Sequence, residues 1–576
     1  MRSSGRKRIQ SGHRPGLGWL REDEWLADLA YLPFAIWASW SLFAVHGMPM
    51  THDGLGLSFI EAYRRAYLGG DYFPLWTSFA EKGHGSQFPI LYHRLHAQVF
   101  GALALLVGSL RALKLSVPIL LVVGAAGMRR LCGALGSRPW IGWIAGLLLL
   151  SSNYAVSDWF VRGAIAELTA FMIVPWCLRY VLELFTDSRA PLRLAVSSAL
   201  LFYAHMTTFA AFALIALGLI AGGLLRLGMF GWERVRVGLR RCSLVGALLG
   251  CAIVPYGAAV KYVLESSGIG SLGMRSDPDA YTPWASYFKD PNLSWSRAIV
   301  EGPMSVEIGR WILLCLGVLL VLVPAARRAV RERLGGLALL SAFFVFVQRR
   351  EMTFVFDLVP GASKLQFPSR LLVFIVPIVL SCTAVAVEAA LRSADPVARA
   401  VGRALPFVAA VGQFNLAIAR QRSIWGTQID ALAIQEAMNN PTDVTTGKLA
   451  MYATWDLFLG HTHGRAGPTP FLQASDGCTI SSPRLTRGAE ARAVQDNVQC
   501  GAVSFVVHGA HCSVKVNQYH SPVLRFEMSP PGTMHADTDG TTVLDALSDG
   551  TRVRIRERSI LDLASKWLME KARRRP

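Results

Sequence analysis

The chain has 576 residues, of which 52% are hydrophobic and 17% charged, and its mean hydropathy is +0.36. That balance excludes an ordinary soluble domain, which could not hide so much apolar surface from water, and it indicates a polytopic membrane protein. The formal net charge of +19 does not imply nucleic acid, because the arginines stand in short clusters between apolar runs, as in cytoplasmic loops under the positive-inside rule.

Residues 1–24 open with "MRSSGRKRIQSGHRPG", basic and rich in Gly and Ser, and read as a cytoplasmic tail. Trp25–Val45 is longer than a signal-peptide core and lacks a small-residue cleavage site, so it reads as a retained anchor. Further apolar runs fall near 116–131, 139–152, 164–185, 193–206, 207–225, 242–263, 309–325, 335–348, 371–391 and 405–419. This predicts an α-helical membrane protein of about eleven spans, some of them short, over 25–420. Basic clusters at Arg6–Arg8, Arg129–Arg138, Arg189–Arg193, Arg226–Arg241, Arg327–Arg333 and Arg392–Arg403 occupy alternate connections and mark them as cytoplasmic. Ala97–Leu110 is apolar but only about 14 residues long. Counting it as a crossing would invert every later loop, so it is expected to be re-entrant or interfacial.

With that choice the outer side receives a large first loop, 47–115, the "SSNYAVSDWFVRGAIAE" segment, the neighbourhood of His205, the connections that follow 263 and 348, and everything after about Arg420. Residues 421–576 lose hydropathy and show alternating runs, "AVSFVVHG", "SVKVNQ", "PVLRFEM", "TTVLDAL" and "TRVRIRE", separated by turn signals. They predict a small extracytoplasmic antiparallel β-domain. It ends in "SILDLASKWLMEKARRRP", whose Ile560, Leu561, Ala564, Trp567 and Leu568 share a helical face that either lies on a membrane or packs on the β-domain. Six of nine cysteines lie in or beside apolar runs; of Cys478, Cys500 and Cys512, two can form a disulfide if this region is extracytoplasmic.

Three groups of residues could carry chemistry. His52 and Asp53 open the first loop, where Asp53 is either a general base, a metal-holding carboxylate, or a solvated cap for the helix that follows. Asp158 and Arg162 are four apart and can pair on a helix, while Glu167 stands deeper at the start of an apolar run, where an ionisable group needs a partner or a task. His205 is a similar polar residue near the end of a span, or a packed histidine. In "GASKLQFPSRLLVF", Lys364 and Arg370 flank the mouth of a span and could grip the phosphate of a lipid carrier, or snorkel to headgroups. No glycine-rich phosphate loop, HExxH, GxSxG or CxxC pair is present, and no metal-ligand spacing occurs.

Taken together, "HDG", "GDYFPLW", "GHGSQFPILYH", "RGAIAE" and "LQFPSR" resemble the membrane proteins labelled 6-pyruvoyl-tetrahydropterin-synthase-related, and more distantly the YfhO-like membrane proteins. The resemblance covers Met48 to Leu391, and both groups are similar to the GT-C class of glycosyltransferases. No pterin-synthase domain or histidine triad supports pterin chemistry. Where the family has YxPL, this chain reads "LYHRLH". The resemblance implies an outer-face site that takes a sugar from a polyprenyl-phosphate-linked donor, with Asp53 as the catalytic candidate. The expectation is then a glycosyltransferase with Asp53 and Glu167 in catalysis and Arg162, Lys364 and Arg370 on the donor phosphate. His52, Tyr72, Trp76, Asp158 and His205 would orient substrate. No cofactor is required, although a divalent metal is compatible. The acceptor would be a glycan, lipid or protein outside the cytoplasmic membrane. A transporter or flippase of lipid-linked glycans, or a non-catalytic assembly scaffold, remains the alternative.

Overall fold

A computed structural model describes residues 22–49, 56–77, 85–229, 231–266, 308–358, 368–421, 428–429, 472–481, 503–537 and 541–573. Helices dominate up to Gln421, and a β-rich region with a last helix follows. The chain is a multi-pass membrane protein: seven helices among the described residues are long and apolar enough to cross a bilayer, and a bent pair brings the number up to eight.

The expected first anchor is broken into α1 (Glu22–Leu29), α2 (Leu32–Ala38) and α3 (Trp40–Ala44). Pro33 near the start of α2 has no N–H to continue a helix, and at the other end the Ser39 hydroxyl donates to the Ala35 carbonyl at 2.7 Å. The first loop contains α4 (Leu57–Leu68), α5 (Phe88–Leu91) and α6 (Arg94–Val107). At 14 residues α6 is about 21 Å long. That is shorter than the apolar core of a bilayer, which is about 30 Å thick. Gly108, with φ of +80°, then turns the chain directly into α7 (Ser109–Ala134), so this span begins earlier than the run near 116 suggested.

Next come α8 (Pro139–Leu150), the short α9 (Asn153–Ser157), a π-turn over Asp158–Arg162, α10 (Ile165–Glu183), α11 (Ala190–Ala204), α12 (Met206–Gly228) and α13 (Trp232–Ser266). Then α14 (Arg310–Leu322) and α15 (Pro324–Val347) meet at a 112° bend, where Pro324 removes a donor. The basic cluster Arg327–Arg333 therefore lies on the same continuous helix as the apolar run that follows it, rather than in a loop between two spans. The helices α16 (Thr353–Leu358), α17 (Leu372–Leu391) and α18 (Pro396–Gln421) complete the bundle.

The span windows over Pro139–Arg162 and Pro368–Leu391 are 94% buried, against 17% for Met206–Gly228, so the former form the centre and the latter faces outward. Close approach of α7 and α10 depends on small residues: a Cβ on Gly124 would meet Met172 Sδ at 2.0 Å, and one on Gly127 would meet Trp176 Nε1 at 2.6 Å. One end of the bundle gathers the basic clusters. There Asp28 pairs with Arg129 at 2.9 Å and Arg130 at 2.6 Å, and Glu388 with Arg392 at 2.8 Å and Arg138 at 3.4 Å.

Two short strands, β1 (Met48–Pro49) and β2 (Gln428–Ile429), pair antiparallel. The C-terminal region is two four-stranded sheets, in the orders β4-β5-β10-β7 and β3-β6-β9-β8. They are built from β3 (Leu472–Ala474), β4 (Thr479–Ser481), β5 (Val503–His508), β6 (Cys512–Tyr519), β7 (Leu524–Ser529), β8 (Thr533–Ala536), β9 (Thr541–Leu547) and β10 (Thr551–Glu557). Alternation puts Val503, Phe505 and Val507 of β5 and Val553 and Ile555 of β10 into one core. Cys478 and Cys512 form a disulfide, and Cys500 lies outside the described residues.

The last helix, α19 (Ile560–Arg573), divides the expected apolar face. Leu563 and Ala564 are buried, with Ile560 and Trp567 packed beside the β-core and α13, whereas Leu561 and Leu568 are exposed. Its inner face is thus occupied by protein. At 35 residues α13 is about 52 Å long, well beyond bilayer thickness. Its Tyr256, Ala259, Val260, Tyr262 and Val263 belong to the β-domain's apolar cluster, so this helix is the stem on which the domain sits.

Candidate active site

At the end of the bundle away from the basic clusters, a polar assembly forms around Glu167. Its first component is the turn in "RGAIAE". The π-turn ends at Gly163, which adopts φ of +71°, and the Ala164 N–H returns to the Asp158 carbonyl at 2.8 Å. A left-handed residue here costs least as glycine. The turn places Arg162, at the end of one helical segment, against Glu167, in the first turn of the next.

Arg162 Nη1 donates to Asp158 Oδ1 at 2.8 Å, and Nη2 donates to Glu167 Oε2 at 2.7 Å. Arg370, delivered by the short 3-10 turn Pro368–Leu371 at the mouth of α17, brings Nε to 3.1 Å from that same oxygen. The Tyr154 hydroxyl donates to the other oxygen, Oε1. Glu167 is 2% exposed and Asp158 fully buried, while the arginine side chains keep 12% and 17% exposure. The carboxylate is therefore committed to holding two guanidinium groups. Both Glu167 oxygens are thus taken up by partners, Oε1 by the Tyr154 hydroxyl and Oε2 by the arginines.

Beside this assembly the rings of His93 and His205 meet at a tilt of 49° with centroids 4.2 Å apart. His205 precedes α12 and its Nδ1 accepts from the Thr208 N–H at 3.3 Å, capping the helix, with the Thr207 and Thr208 hydroxyls at 3.0 and 2.8 Å. His93 Nδ1 accepts from the Met206 N–H at 3.3 Å. Each neutral ring with an accepting Nδ1 carries its proton on Nε2, so the pair presents two N–H donors. His93, in "LYHRLH", was missed in the sequence.

The first loop's floor is tied to the β-domain. Glu557 Oε2 at the end of β10 accepts from the Leu75 N–H at 2.9 Å, and the Ser521 hydroxyl donates to Gln87 Oε1 at 2.7 Å. Leu75, Trp76, Ile90 and Leu91 join the β-domain core. Trp76 is 0% exposed, so the ring expected to stack on a sugar is filled by packing. Tyr72, by contrast, is 73% exposed and stacks on Tyr67 at 6.1 Å. His52, Asp53 and Lys364 lie outside the described residues. Thus Asp158, Arg162, Glu167, Arg370 and His205 converge, Tyr72 stands on the outer rim of the first loop, and Trp76 belongs to a different core. Among the described residues, no group of three or more His, Cys, Asp or Glu could hold a metal ion.

No protein-family model and no curated protein matches the chain. Among solved structures it is similar to the arabinofuranosyltransferase AftD from Mycobacteria, at 17% identity and a TM-score of 0.42, over 72% of this chain and 28% of that one. It is also similar to the Archaeoglobus fulgidus oligosaccharyltransferase tethered with an acceptor peptide, at 12% identity and a TM-score of 0.40, over 75% of this chain and 59% of that one. The chain thus spans less than two thirds of either protein.

Proposed function

We propose that this protein is a GT-C type glycosyltransferase of a bacterial cytoplasmic membrane, moving a sugar from a polyprenyl-phosphate carrier to a glycan, lipid or protein acceptor on the extracytoplasmic side. The observation that carries this reading is the convergence of Arg162 and Arg370, from distant parts of the chain, on one buried carboxylate beside two histidine N–H donors. When an acceptor oxygen attacks the anomeric carbon, the bond to the carrier phosphate breaks and its electron pair goes to the phosphate. Guanidinium groups held in place by Glu167 and Asp158 stabilise that growing charge without reorganising, and His93 and His205 add two donors. Asp53 takes the acceptor's proton. Lys364 supplies a further cation to the same phosphate.

The test is transfer of a labelled sugar from polyprenyl phosphate by the purified protein. Arg370→Lys keeps the charge but loses the planar fork, and transfer is expected to fall by about tenfold or more with unchanged folding. Equal rates would reduce Arg370 to headgroup anchoring. Passage of the carrier-linked sugar across a vesicle membrane without transfer would instead identify a flippase.

Orientation is tested separately. A reporter active only outside the cytoplasm is expected to work when fused after Arg420 and to fail when inserted within Arg327–Arg333. The reverse pattern would put the Glu167 assembly on the cytoplasmic side and remove the extracytoplasmic acceptor.

A further inference from the structure

The last helix has a second apolar side, distinct from the one that packs inward. With about 3.6 residues per turn, Leu561, Ser565, Leu568 and Ala572 fall along one line of α19, with Met569 beside it. That line points away from Ile560, Leu563 and Trp567, which pack with the β-core. Leu561, Leu568 and Met569 are 70%, 59% and 54% exposed.

The height of α19 relative to a bilayer follows from the stem it packs on. Between Arg241 and Lys261, α13 carries 19 residues without a charge, a length of about 28 Å that matches the apolar core of a bilayer at about 30 Å. Arg241 marks the basic-cluster end, where it donates to the Leu184 and Asp187 carbonyls at 2.9 and 3.2 Å. Lys261 then marks where α13 leaves the hydrocarbon on the β-domain's side. Its Nζ lies 5.6 Å from the centroid of the Trp567 ring, and Lys571 Nζ lies 4.8 Å from the same centroid. The middle of α19 therefore stands at the bilayer boundary, where tryptophan rings and lysine side chains are commonly found.

Charge selects what covers the outer line. By helical spacing, Lys566 and Arg573 border it on one side and Lys571 on the other, and the sequence goes on with Arg574 and Arg575. Of the two carboxylates, Asp562 accepts from the Ser559 N–H at 3.2 Å in the helix cap, and Glu570 falls across the helix from Leu561 and Leu568. A second copy of this surface would set the cations against one another. Lipid phosphates complement them, and acyl chains receive the leucines and Met569.

We propose that the outer side of α19 rests in the headgroup region of the leaflet on the β-domain's side, with its basic residues on anionic lipid phosphates. The β-domain is then held at two points, by the stem α13 and by the bilayer surface, which fixes the height at which its core meets Leu75 and Trp76. This surface depends neither on sugar transfer nor on which face of the membrane the domain occupies.

Photo-crosslinking of the full chain in nanodiscs tests it. p-Benzoylphenylalanine is placed at one position at a time, in phosphatidylcholine alone or mixed with phosphatidylglycerol of the same acyl chains, and mass spectrometry identifies what is captured. Val254, exposed on α13 between Arg241 and Lys261, is the lipid-facing reference. In the mixed nanodiscs, lipid adducts at Leu561 and Leu568 are expected to approach the yield at Val254 and to exceed that at Glu570 by about tenfold. Phosphatidylcholine alone is expected to lower the yield at Leu568 by about threefold or more, and Lys566→Gln, Lys571→Gln and Arg573→Gln together to do the same in the mixture. Yields at Leu561 and Leu568 no higher than at Glu570, while Val254 captures lipid, overturn the proposal. So does capture of a second copy of the chain in place of lipid, or a yield that neither phosphatidylglycerol nor the three substitutions change.

Discussion

Glu167→Gln is expected to destabilise the protein by about 3–5 kcal/mol, the usual effect of removing one member of a buried ion pair. The amide keeps the shape but leaves Arg162 and Arg370 beside a neutral group at a site only 2% exposed. Arg162 would retain Asp158, whereas Arg370 would lose the carboxylate charge that lies 3.1 Å from its Nε. Thermal unfolding in detergent measures the effect, with Tyr154→Phe as the comparison. That variant removes one hydrogen bond to the same carboxylate and is expected to cost about 1.5–3 kcal/mol. A Glu167→Gln protein that melts with the wild type would show that the arginines are held by something else. Sugar transfer by the variant is expected to be lost along with stability, because the two guanidinium groups would no longer be fixed in advance of the reaction.

Asp53→Asn is expected to do the opposite: leave folding and membrane insertion normal and lower turnover by about a hundredfold to ten-thousandfold, the range of a positioned general base. A sugar hydroxyl is a poor nucleophile at neutral pH, so loss of the group that removes its proton falls directly on the rate. If Asp53 only caps the following helix, Asn serves equally well and turnover stays nearly unchanged. Labelled-sugar transfer by wild-type and variant proteins matched for folding separates the two. Near-equal rates would remove Asp53 from the mechanism.

Spans from 109 onward were legible because twenty or so apolar residues in a row have few other fates. The interruptions within 25–45 were not legible, since hydropathy averages over the breaks that Pro33 and Ser39 introduce. Within the site, the Asp158–Arg162 pair followed from a spacing of four, and Glu167 was conspicuous as a carboxylate entering an apolar run. Arg370 could be noticed but not placed, because its contact with Glu167 depends on how distant helices pack. Tyr154 and His93 gave no local signal: one is an aromatic among aromatics, the other a histidine whose partner, His205, is brought to it by the fold. Trp76 misled for a related reason. Exposed and buried tryptophans look alike in a sequence, and what covers this one is the β-domain.

That cover has a consequence in time. The hydrogen bond from Leu75 to Glu557 joins residues 482 apart, and the one from Ser521 to Gln87 joins residues 434 apart. At about 5–20 residues per second, synthesis of the chain between Leu75 and Glu557 takes roughly half a minute to a minute and a half. Through that interval the floor of the first loop, with Leu75, Trp76, Ile90 and Leu91, waits uncovered while span after span enters the membrane. Nascent chains stopped after Arg370 and before β10 would carry the Glu167 assembly complete in every residue, yet lack the carboxyl that ties down the loop beside it. The last strand of the β-domain therefore sets the moment at which the first loop acquires its final form.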